Sequence, residues 1–156
     1  LLHRHPRQTL RSTYLFLFQL PLAPELLLRT GRFAALKWAL RRSSRPGTFT
    51  EEDLRAYEEA WGMPGALGSM LHWYRAALRH PPAFPPELVR VPVRMLWGAR
   101  DAFLVAESAR MSITLCEDGQ LTFFPRAGHF LQLEEPGEVT GHLLDYFGEG
   151  TGANPS

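Results

Sequence analysis

One cysteine, Cys116, in 156 residues excludes a disulfide framework and any CxxC metal or redox centre within the chain. Long apolar runs are missing too. The longest candidate, YLFLFQLPLAPELLL (residues 14–28), is interrupted by Gln19, Pro21 and Pro24 and is too short to span a bilayer. Charge of one sign is lacking overall, since the formal net charge is only +1. The distribution is uneven, however: residues 1–50 carry nine Lys/Arg against Glu25 alone. Those cations are scattered and few aromatics lie among them, so no nucleic-acid-binding surface is expected. His3 and His5 have no thiol or carboxylate nearby to complete a ligand set, and no metal site is expected. Repeats, low-complexity tracts and a signal-peptide pattern are all absent. This favours a cytoplasmic location, although the chain begins at Leu1 rather than Met, which leaves room for an upstream targeting segment.

The chain does contain enough apolar residues, 45%, for a domain with a real core. Leu10, Tyr14, Leu17 and Phe18 recur at helical spacing and predict one amphipathic helix that stops near Pro21. Two short helices are expected on either side of Gly31, ending in the basic loop RRSSRPG. Thr50 reads as the N-cap of a helix that buries Leu54, Tyr57 and Trp61 and closes at Gly62. A further stripe of Leu67, Met70, Leu71, Tyr74, Ala77 and Leu78 makes the next segment helical. Trp38 and Trp73 read as packing residues or as walls of an apolar pocket, and His72 receives no role.

The pattern changes at RHPPAFPPELVRVPV, where Pro81, Pro82, Pro85 and Pro86 force an extended crossing. The expected organisation is a helical region over 1–84, an α/β region over 85–148 and a disordered tail over 149–156. Strands are predicted at 93–98 and 120–125, a weaker helix around 105–115, and a closing helix with Val139, Leu143 and Phe147 inward. Strand, helix, strand, helix is the order of a parallel sheet. Two parallel strands need neighbours and cover on both faces, so further strands upstream are expected.

Asp101 follows the end of the first strand and His129 the end of the second, which aims both at the crevice beyond the strand C-termini. A carboxylate bonded to an imidazole fixes its tautomer and leaves the other ring nitrogen to take a proton. Asp118 is a competing acid, but CEDGQ reads as a turn.

VPVRMLWGARDAFL followed by LTFFPRAGHFLQLEEPGEV resembles the last third of α/β-hydrolase-fold enzymes, and the helical front resembles their cap. Within that superfamily STYLFLFQLP and GALGSMLHWYRAALR resemble the cap of epoxide hydrolases. The resemblance spans about residues 10–148. It implies an α/β fold, specifically the C-terminal part of an α/β-hydrolase fold with a helical cap. It further implies that Tyr14 and Tyr74 bind and protonate the epoxide oxygen, that His129 is the general base and that Asp101 orients it. The implied chemistry converts a small apolar epoxide and water to a vicinal diol through an aspartyl ester, with no cofactor.

One departure stands against that pattern. The sequence contains no Gly-x-Ser-x-Gly or Gly-x-Asp-x-Gly elbow and no glycine-rich oxyanion loop; Ser69, Asp53 and Asp145 all fall in helices. The expectation is therefore the cap and C-terminal portion of a longer enzyme, inactive by itself. Two rivals remain at this stage: a dehalogenase with halide donors in place of the tyrosines, and a non-catalytic interaction module.

Overall fold

Caps and breaks written into the sequence set the helices of the first half. The computed structural model describes residues 6–80 and 88–149. The single helix expected before Pro21 is two: α1 (Pro6–Arg11) and α2 (Tyr14–Leu17). Between them the Thr13 hydroxyl bonds the Leu10 carbonyl at 3.0 Å, a local bond that competes with the helical ladder. α3 (Ala23–Arg42) is two helical pieces joined at a kink, as the position of Gly31 leads one to expect. Gly31, Arg32 and Phe33 there have φ of 57°, 54° and 61°. This left-handed backbone is easy for glycine and costs the other two of the order of 1 kcal/mol each. Both have partners on the next helix: Arg32 pairs with Glu58 at 2.6 Å, and the Phe33 ring stands 5.8 Å from that of Trp61.

That helix, α4 (Glu51–Gly62), begins on a reciprocal cap. The Asp53 amide donates to Thr50 Oγ1 at 3.1 Å while the Thr50 amide donates to the Asp53 carboxylate at 2.8 Å. Two amides that a helix start leaves unbonded are thereby satisfied. Leu54 and Trp61 are buried as expected; Tyr57 is not, and its ring lies along the helix surface between Phe49 and Trp61.

α5 (Ala66–Arg79) buries Leu67, Leu71 and Arg75, one row at i, i+4, i+8. Met70, Tyr74 and Ala77, placed on the stripe from their hydrophobicity, lie on the flank of that row and are exposed. Trp38 and Trp73 are not packed either: Trp73 is 81% exposed.

Contacts divide the chain into two compact units, Leu1–Pro86 and Glu87–Ser156. In the second, β1 (Val93–Gly98) and β2 (Gly119–Phe124) pair in parallel, from Val93 opposite Gly119 to Gly98 opposite Phe124, with α6 (Ala106–Ile113) between them in sequence. A bridge from Val89 to Cys116 extends the pairing upstream. α7 (Leu131–Glu134) and α8 (Pro136–Glu149) follow. Phe124, Ala127 and Leu131 form the core, with Leu96 and Val139 against it. Val139 thus faces inward as expected, whereas Leu143 and Phe147 do not; Phe147 is 66% exposed. A two-stranded sheet is too narrow to cover the whole apolar face of α8. Among the described residues no helix is long and apolar enough to cross a membrane. The tail expected over 149–156 lies outside the described residues apart from Glu149, the last residue of α8.

Candidate functional site

Because β1 and β2 run parallel, the loops that leave them emerge at the same edge of the sheet, where open α/β sheets bind ligands. The two loops interlock. Ala99 donates to the Phe124 carbonyl and Arg100 to the Ala127 carbonyl, each at 2.9 Å. Gly98 lets them approach: a Cβ at this position would stand 2.0 Å from the Gly128 oxygen and 2.8 Å from that of Ala127. Glycine here serves close backbone packing rather than turn geometry.

This crossing brings Asp101 to His129. Asp101 is 9% exposed, and its carboxylate is used from both sides. Oδ1 accepts from the amides of Phe103 at 2.8 Å and Leu104 at 2.9 Å, which fixes the carboxyl plane, while Oδ2 lies 2.9 Å from His129 Nδ1. Burial pushes the carboxyl pKa up. The hydrogen bonds from His129, Leu104 and Phe103 outweigh it, so Asp101 is held below its ordinary value and is ionised. An ionised carboxylate can only accept, so Nδ1 carries the proton and Nε2 is the basic nitrogen of the neutral ring. The rings of Phe103 and Phe130 meet the imidazole edge-on at 4.9 and 5.2 Å. His129 keeps 35% of its side chain exposed beside a cavity of about 330 Å³ whose walls include Leu96, Trp97 and Leu104. The arrangement can take a proton from water and return it. Asp118, the competing acid, stands at the other end of the sheet, where its carbonyl accepts from Val93.

In the first unit Tyr14, at the start of α2, and Tyr74, on α5, are brought together. Their rings stand 6.1 Å apart, edge to face, and Phe18 contacts both at 5.3 Å. Arg75, next in sequence to Tyr74, holds this arrangement and was not foreseen. Its guanidinium donates to the carbonyls of Phe18 and Leu20 and to Glu25, each at 2.8 Å. That hydrogen bond from Arg75 keeps the Glu25 carboxyl below its usual range. Gln19 adds a bond to the Tyr74 carbonyl at 3.3 Å. An arginine in an amphipathic pattern reads as solvated; only its place in the i, i+4 row from Leu67 and Leu71 signals otherwise. Among the described residues no group of three or more His, Cys, Asp or Glu could hold a metal ion.

No protein-family model matches the chain. Among curated proteins it is 42% identical to the AB hydrolase superfamily protein YfhM of Bacillus subtilis, over 91% of this chain and 50% of that protein. It is 34% identical to epoxide hydrolase 4 of Mus musculus, over 95% of this chain and 43% of that protein. Among solved structures an epoxide hydrolase of Bacillus megaterium in complex with an inhibitor superposes with a TM-score of 0.80 at 25% identity, over 94% of this chain and 55% of that one. A mutant of that enzyme, complexed with its product (R)-3-[1]naphthyloxy-propane-1,2-diol, superposes equally well. The chain spans about half the length of the curated relatives it matches. Its fold is that of part of an α/β hydrolase, and the chain is similar to an AB hydrolase superfamily protein and to epoxide hydrolases over about half of their length.

Proposed function

We propose that these residues form the cap and the acid–histidine part of an epoxide hydrolase, with Tyr14 and Tyr74 as the proton donors, His129 as the base and Asp101 as its orienting acid. The observation that carries this reading is the tyrosine pair, two phenols sixty positions apart in sequence brought to ring centres 6.1 Å apart. Ester hydrolysis has no need of such a pair. Epoxide opening does, because the leaving group is an alkoxide, and a positioned phenol lowers the cost of its developing charge.

The reaction runs in two displacements. A carboxylate oxygen bonds to a ring carbon as that carbon's bond to the epoxide oxygen breaks, and the oxygen takes a proton from a tyrosine. Water then gives a proton to His129 Nε2 and attacks the ester carbonyl; the acyl–oxygen bond breaks, the leaving alkoxide takes the proton of the new carboxylic acid to give the vicinal diol and the free carboxylate, and the imidazolium proton returns through water to the tyrosinate. Asp101 stabilises the imidazolium in between. These 156 residues hold no elbow motif, and we assign the ester-forming aspartate to residues outside them. By itself the chain is expected not to turn over. An apolar epoxide is the proposed substrate, in keeping with the aryloxy diol found as product in the structural relative.

The test is a chimera in which this chain replaces the matched half of the Bacillus subtilis relative, assayed for diol formation from an aryl glycidyl ether. The expected result is turnover that falls about 10²-fold or more in a Y14F/Y74F double variant, the range for a lost general acid. A double variant as active as its parent removes the tyrosines from the mechanism.

A further inference from the structure

We infer that Glu134 is a second carboxylate in the service of His129, a positioning residue that fixes the backbone before the imidazole as Asp101 fixes the ring; the inference rests on His129 being the base. Glu134 closes a four-residue helix and is only 4% exposed, whereas its neighbour Glu135 is partly exposed. Ionisable side chains are rarely buried to this degree without a hydrogen-bonding reason. Here the Gly128 amide, itself buried, donates to Glu134 Oε2 at 2.9 Å. The turn that makes this possible is α7: the Glu134 amide donates to the Phe130 carbonyl at 2.9 Å, so the chain after His129 curls back onto the residue before it.

Gly128 is where such a restraint matters. Glycine has the freest backbone of any residue, and rotation about it swings His129 bodily. The two polar groups of Gly128 are restrained from opposite partners: its oxygen packs against Gly98 and its amide is held by Glu134. With the backbone held, Nδ1 stays within 2.9 Å of Asp101; with it released, the ring has alternatives.

The experiment is nitrogen-15 NMR on the full 156-residue chain, reading the His129 Nδ1–H resonance and the exchange rate of the Gly128 amide. The native chain should show an Nδ1–H signal that D101N abolishes. E134A should weaken or lose that signal and speed exchange at Gly128 on the order of tenfold, the consequence of a lost buried hydrogen bond. E134Q keeps an acceptor of the same reach and should restore both. If E134A does not fold, E134M, of similar volume without an acceptor, carries the same comparison. A native-like Nδ1–H signal in E134A or E134M overturns the role of Glu134. A native chain whose His129 signal is absent or indifferent to D101N overturns the His129–Asp101 pairing itself, and the inference falls with it.

Discussion

At Asp101, burial and hydrogen bonding act on the carboxyl in opposite directions, and the balance fixes how stability responds to acid. Burial raises the pKa, while His129, Leu104 and Phe103 together lower it further, so the folded-state value lies below the ordinary 3.8. A carboxyl with a depressed folded pKa contributes stability that is present above its unfolded value and lost as pH falls through the folded one. D101N is therefore expected to cost about 2 kcal/mol in urea unfolding at pH 7, and the gap to the native chain should narrow below about pH 4. A gap unchanged between pH 7 and pH 3 contradicts that assignment. Asp101 and His129 were legible in the sequence because each follows a strand that ends sharply, and a parallel pair must deliver both to one edge. Glu134 was not. In LQLEEP it looks like one of two solvated acids before a proline, and only the path of the chain shows which is turned inward.

Among the elements, two glycines separate packing from helix propensity. G98A drives a methyl into the Gly128 carbonyl and should cost roughly 3 kcal/mol in thermal or urea unfolding, with His129 displaced. G141A, in α8 with open space around it, should instead stabilise by about 0.7 kcal/mol. The reverse order would mean that the two loops do not cross as described. In the first unit R75M leaves Glu25 and two carbonyls without their donor and should cost about 3 kcal/mol. It should also abolish the nuclear Overhauser contacts between the Tyr14 and Tyr74 rings, which a merely local loss would leave intact. Caps and kinks were readable: Thr50 and Gly31 each announce a backbone event that few other residues provide. The faces of helices were read less well. Hydrophobicity placed Tyr74 on the buried line of α5 and overlooked Arg75, because a pattern records apolar character and not the carbonyls that make a buried guanidinium affordable.

For the whole molecule, the sequence announces two compositions, helical before the prolines at 81–86 and α/β after them, and a sheet with too few strands. The comparisons give that shortage a scale, with matches to about half of each curated relative. Exposed Leu143 and Phe147 on α8 are its physical counterpart within the second unit. What no pattern within 156 residues reveals is the nucleophile, and the role of His129 depends on it. The most direct measurement is single-turnover mass spectrometry on the chimera carrying H129Q, mixed with an aryl glycidyl ether. The account predicts a covalent adduct heavier by the mass of the epoxide that accumulates without diol, together with a fall in steady-state turnover of about 10³-fold. Diol released by H129Q at the rate of the parent chimera, with no adduct, would contradict it.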